Sequence, residues 1–128
     1  MTDATLGDRE LDVMAVLWEI GSGSVGDVRD RLPAHLAYTT VLTILRNLEA
    51  KQFVTREADG RGHRYTPRVP QRAARKSAVR RLVDKLFAGS PEQLLAQLVD
   101  DRALGADDLR RLARRAAARP PIRRRGAK

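Results

Sequence analysis

The stretch YTTVLTILRNLEAKQFVTREADGRGHRYTP, residues 38–67, changes its hydrophobic period partway along, and that change decides the fold. Over its first part Val41, Ile44, Leu45 and Leu48 recur at three- and four-residue steps, which predicts a helix over 39–51 with Thr39 near its cap. At about 100° per residue, Thr39, Thr43, Arg46 and Asn47 point away from that stripe and Thr40 lies on its flank. From Phe53 the pattern alternates. FVTREA reads as a strand, ADGRG as a turn-rich link, and HRYTP as a second short strand closed by Pro67.

Working upstream, Leu11, Met14, Leu17 and Trp18, with Val13, Val16 and Ile20 beside them, predict an amphipathic helix over 8–20. Gly7 is its expected N-cap, and Gly21-Ser22-Gly23 stops it. Ser24 with Asp27 three residues on starts a second, short helix that runs to Leu32 before Pro33. Three helices followed by a small hairpin is the plan of a winged helix-turn-helix, assigned to residues 6–68. The expected fold is mainly α with a small β-hairpin wing and a C-terminal helical dimerisation region.

Downstream of Pro70 the character changes. A basic helix over 71–88 carries a narrow seam of Ala78, Val79, Leu82 and Leu86, widened by Val83 and Phe87. Gly89 ends it, and Ser90-Pro91-Glu92-Gln93 supplies N-cap, Pro at N1 and Gln at N3 for a helix bearing Leu94, Leu95, Leu98 and Val99. Gly105 or Ala106 opens a last helix with Leu109 and Leu112. Three such seams without a sheet need a second surface; another copy of the same segment is the expected one, with packing back on the winged module as the competing option. The expected organisation is a winged module over 1–69, a dimerisation region over 70–118 and a basic disordered tail over 119–128. The dimer positions are Leu82, Leu86, Phe87, Leu94, Leu95, Leu98, Leu109 and Leu112.

The whole chain has 128 residues and a formal charge of +9. Residues 1–35 carry net −4, residues 36–88 net +8 and residues 89–128 net +5, so the positive field begins at the third predicted helix. Such an excess favours a polyanionic partner, most often nucleic acid. Without cysteine, disulfides, thiolate metal sites and cysteine nucleophiles are excluded. No apolar run approaches the roughly 18 residues of a membrane span, so no membrane insertion is expected. The start MTDATLGDRELD lacks the basic and apolar regions of a secretory signal, so a cytoplasmic location is expected.

Gly21-Ser-Gly-Ser-Val-Gly26 matches G-x-G-x-x-G but follows a helix outside any βαβ unit, so it reads as a helix–helix turn. Asp100/Asp101 and Asp107/Asp108 lie near a helix end and a helix start, where solvation and capping account for them. His35 and His63 lack partners at metal-ligand spacing, and Ser24, Ser77 and Ser90 lack nucleophile contexts. No enzyme, cofactor or metal site is expected. The outer face of the third helix suits DNA better: threonine methyls can meet thymine methyls, and Arg46 can fork onto guanine O6 and N7. Arg61 and Arg64, with His63 beside them, lie where a wing would meet flanking backbone. The expected DNA-binding set is Thr39, Thr40, Thr43, Arg46, Asn47, Arg61 and Arg64.

Leu6, Glu10, Val13-Met14 and Leu17-Trp18, then Tyr38-Thr39-Thr40-Val41-Leu42-Thr43 with Leu45, Leu48 and Lys51, and finally Arg61, Tyr65 and Pro67, resemble the penicillinase-repressor (BlaI/MecI) family. The resemblance covers about residues 6–116. It implies a winged-helix homodimer that represses transcription at an inverted-repeat operator, often controlling β-lactam resistance genes. It also implies release by proteolysis after a signal from a membrane-bound sensor metalloprotease. The chain departs from the family pattern at Asn47, where arginine is usual, and at Gln52, where glycine is usual. The staphylococcal members are cut at an Asn-Phe bond, which matches Gln97-Leu98 here. The alternative expectation is a basic winged-helix adaptor or RNA-binding module without operator specificity.

Overall fold

The computed structural model describes residues 5–120. The order of elements is α1 (Asp8–Ile20), α2 (Val25–Arg31), α3 (Tyr38–Ala50), β1 (Val54–Asp59), β2 (Gly62–Pro67), α4 (Gln71–Leu86), α5 (Pro91–Asp100) and α6 (Ala106–Ala118). The chain forms two compact units that divide between Ser77 and Ala78, within α4.

In the first unit α1 contributes Val13, Met14, Val16 and Leu17, α2 Val25 and Val28, and α3 Val41, Ile44, Leu45 and Leu48 to one core, closed by Phe53, Val54 and Tyr65. Fully burying each such side chain stabilises the fold by about 1.5–3 kcal/mol before entropy is counted. Leu11, expected on the α1 stripe, is exposed because it lies on the far side of the helix from Val13. The Trp18 indole donates to Val69 O at 2.9 Å, fixing the chain as it leaves the hairpin.

The hairpin is antiparallel with Val54 opposite Pro67 and Asp59 opposite Gly62, so Gly60 and Arg61 make its two-residue turn. Gly60 takes φ 63, a conformation glycine adopts without steric cost. Only Val54 and Tyr65 of the two strands are buried, so the hairpin needs another hold. Gly23, in the α1–α2 turn, supplies it: its amide donates to Tyr65 O at 2.9 Å and its carbonyl accepts from Tyr65 N at 2.8 Å. A side chain at Gly23 would place Cβ 2.9 Å from Ile20 Cδ1 and 3.2 Å from Asp27 Cβ, so glycine lets the two backbones approach without displacing the Ile20 and Asp27 side chains.

The end of α3 sets where the hairpin departs. Gln52 N donates to Glu49 O and Phe53 N to Leu48 O, the paired bonds of a Schellman cap, with Gln52 at φ 67. The left-handed turn that glycine usually provides is therefore made by glutamine, and the core contacts of Phe53 and Leu48 hold it there. Gln52→Gly is expected to stabilise the unit by about 0.5–1 kcal/mol, the left-handed penalty less glycine's extra unfolded entropy. Thermal or denaturant unfolding reads this out; an unchanged or lower midpoint would contradict it.

Lys51, one residue earlier, ties α3 to α1. Its ammonium donates to Glu10 Oε1 at 2.7 Å and to Thr5 O at 3.0 Å. Burial alone would raise the Glu10 pKa, but the Lys51 hydrogen bond, the Gly7 amide and the Lys51 charge together hold it below the usual glutamate value.

In the second unit the apolar seam behaves differently from a core. Val83 is the buried residue of α4, while Val79, Leu82 and Leu86 of the expected seam are exposed. The helix stops at Leu86, two residues short of the expected 88, because Ala88 and Gly89 turn left-handed at φ 50 and 79. Ser90 caps α5, accepting from Gln93 N at 3.2 Å, with Pro91 at N1 as expected. Asp108 accepts from Gly105 N at the start of α6, and Asp107 and Asp108 pair with Arg110 and Arg111. Gln97 reaches Asp101 at 3.1 Å. Asp108 thus caps a helix start, as expected for its position, while the ion pairs of Asp107 and Asp108 go beyond the expected solvation and capping. Neither α5 nor α6 has a buried residue.

Among the described residues no helix is long and apolar enough to cross a membrane, and no cluster of three metal-ligating side chains occurs. The basic tail expected over 119–128 lies, from residue 121 onward, outside the described residues.

Candidate nucleic-acid interface

The periodicity that buries Val41, Ile44, Leu45 and Leu48 leaves the opposite face of α3 open, and Thr39, Thr40, Thr43, Arg46 and Asn47 are all exposed on it. The structure thus brings these five expected residues onto one surface. The helix begins at Tyr38, with Ala37 as N-cap, so Thr39 lies inside the first turn, near the cap as expected. Among the described residues no side chain caps this end. The first-turn amides of Tyr38, Thr39 and Thr40 therefore have neither an intrahelical acceptor nor a side-chain partner, and they carry the positive end of the helix dipole.

Thr43 donates its hydroxyl to Thr39 O at 3.0 Å, which satisfies its proton and leaves its oxygen lone pairs and methyl available. Arg46 has no ion pair among the described residues. Glu49, the acid of α3, is engaged by Arg56 of β1 at 3.5 Å, so its charge is compensated. At the helix start the Arg29 guanidinium lies 6.0 Å from the Tyr38 ring centre, a cation–π contact that joins α2 to α3.

On the hairpin, Arg61 and Arg64 differ. Arg61 occupies the turn, is exposed, and has no ion pair among the described residues. Arg64 is half-buried; its Nε donates to Asp59 Oδ2 at 3.2 Å and its Nη1 donates to Ser22 Oγ at 2.9 Å. His63 is exposed opposite Ala58. Ser22, Asp59, Arg56 and Tyr38 were not among the expected site residues. Ser22 and Arg64 are 42 positions apart, and no local pattern signals their contact.

The expected dimer residues fall in the second unit. Leu82, Leu86, Leu95 and Leu112 are exposed, Leu86 by 71%, while Phe87, Leu94, Leu98 and Leu109 are half-buried. Each of the three helices therefore retains apolar surface that its own unit leaves uncovered.

Comparison with known proteins groups the chain with DNA-binding regulators. The penicillinase repressor family model matches residues 6–118. The transcriptional regulator BlaI of Mycobacterium tuberculosis is 40% identical over 98 residues, which cover 74% of this chain and 62% of that protein. An uncharacterised 16.5 kDa protein of Latilactobacillus sakei is 30% identical over 105 residues, covering 80% and 72% of the two chains. Among solved structures, the DNA-binding domain of the repressor BlaI aligns with TM-score 0.50 and 28% identity, over 56% of this chain and 90% of that one. Bordetella bronchiseptica BpsR aligns with TM-score 0.51 and 21% identity over 79% of this chain and 76% of that one, a likeness of fold alone.

Proposed function

This chain belongs to the penicillinase repressor family of DNA-binding transcriptional repressors, which are not enzymes, and on that premise we propose that it acts as a homodimer on an inverted-repeat operator. Each α3 enters a major groove, where Thr39, Thr40, Thr43 and Asn47 meet base edges and phosphates and Arg46 forks onto guanine. The uncapped amides of the first turn of α3 suit a phosphate oxygen. Arg61 at the hairpin turn and the exposed cations at the start of α4, among them Arg72 and Arg75, meet backbone phosphates on the flanks. The dimer forms through the uncovered leucines of α4, α5 and α6, and repression follows from occluding the promoter.

The observation that carries this reading is the exposed threonine-and-arginine face of α3, free of large apolar anchors at its centre. An adaptor groove would want those anchors. The family name supports penicillinase or other β-lactam resistance genes as the targets. Release by proteolysis, downstream of a membrane sensor metalloprotease, rests on the resemblance. Gln97-Leu98 lies inside α5, so cutting there would require that helix to open locally.

Footprinting of the bound chain across genomic DNA, followed by competition against a scrambled duplex, tests the proposal. A symmetric site bound about 10³-fold or more tightly than scrambled DNA at fixed salt is expected. Its affinity should fall with salt by about 0.9 log units per log unit for each phosphate contact. Equal binding to both duplexes would overturn the reading.

A further inference from the structure

We propose that Arg64 acts as a positioning residue, clamping the hairpin to the α1–α2 turn so that Arg61 is presented to the DNA flank. The inference deepens the repressor reading and rests on it.

The geometry separates the two arginines. Arg64 reaches across the hairpin to Asp59 Oδ2 at 3.2 Å and across the fold to Ser22 Oγ at 2.9 Å. Asp59 opens the turn that carries Arg61, and Ser22 precedes Gly23, whose backbone pairs with Tyr65. The side-chain clamp therefore lies one residue from the backbone bridge on both segments, and together they make a two-point attachment. A planar guanidinium fork can hold both partners at once, which a lysine ammonium on its flexible stem cannot do with the same geometry. The charge of Arg64 is also balanced locally: besides Asp59, the Asp27 carboxylate feels it and is held below the usual aspartate range, chiefly by its hydrogen bonds from the Ser24 amide and hydroxyl. Arg61 has no such partners among the described residues. Apart from Val54 and Tyr65 the strands bury nothing, so the hairpin depends on these polar ties together with the Arg56–Glu49 pair, which lies further from the tip.

The test uses the full chain carrying Ser22→Ala, Arg64→Lys, Arg61→Ala and the doubles with Arg61→Ala. Ser22→Ala changes no charge and Arg64→Lys retains it, so neither alters non-specific attraction to DNA. Both are expected to weaken operator binding about 3- to 5-fold, and to add no further loss when Arg61 is already alanine. In the free protein, backbone amide relaxation at Gly60 to Gly62 is expected to show increased mobility in both single variants. Wild-type operator affinity in Ser22→Ala, or losses that simply add to that of Arg61→Ala, would overturn the assignment. A wild-type chain with no operator preference would instead sink the repressor reading. The relaxation measurement then judges Arg64 alone: unchanged mobility at the turn refutes the clamp and increased mobility upholds it.

Discussion

Arg46→Ala is expected to remove operator preference while leaving the fold intact. Arg46 is exposed on α3 and has no ion pair among the described residues, so truncating it should change stability by less than about 0.5 kcal/mol. A bidentate arginine–guanine contact is worth about 1–3 kcal/mol of discrimination, so each half-site loses roughly 5- to 150-fold and a symmetric site with two copies loses the product. Competition between operator and scrambled duplex, at one salt concentration, measures this directly. The comparison that isolates Arg46 is with Arg61→Ala. A wing arginine on the phosphate backbone should weaken both duplexes alike and lower the salt slope by about 0.9 per copy, about 1.8 for the dimer, whereas Arg46→Ala should weaken the operator selectively. Unchanged discrimination in Arg46→Ala would transfer base reading to the threonines or Asn47.

What could be read from the sequence follows the range of the interactions involved. The α3 stripe and its polar opposite face are local properties of a periodic pattern, and Val41, Ile44, Leu45 and Leu48 are buried as that pattern requires. The change of period at Phe53 likewise locates the hairpin to within a residue or two. Leu11 misled because α1 carries apolar residues around more than half its circumference, and only packing selects which arc is buried. The contacts that hold the hairpin in place are of another kind. Gly23 with Tyr65, Trp18 with Val69 and Ser22 with Arg64 each join residues more than 40 positions apart, and no spacing rule connects them. Arg64 and Arg61 look equivalent as basic residues near a turn; the fold distinguishes them by giving one of them partners. Gln52 shows the limit from the other side. Glutamine argues against a left-handed cap, yet the Phe53 and Leu48 packing imposes one.

Leu86→Glu combined with Leu95→Glu is expected to convert the proposed dimer to a monomer and to cost most of the operator affinity. Leu86 is 71% exposed and Leu95 42% exposed in the single chain, so a carboxylate at either position meets water and the unit's own fold loses little. In a dimer seam the same carboxylates would be buried without partners, a penalty of several kcal/mol each. A micromolar dimer is held by only about −8 kcal/mol, so two such charges should exceed it. The second half-site is then bound independently instead of within one complex. The effective concentration supplied by the dimer is lost, and with it about 10²- to 10⁴-fold in apparent affinity. Sedimentation at micromolar concentration reads the assembly, and titration of full and half operators reads the binding. Circular dichroism checks that the helices persist. The half-site affinity should remain that of the wild-type module, because α3 is untouched. Dimers that survive both substitutions would show that the leucine seams of α4 and α5 are covered by something other than a second copy.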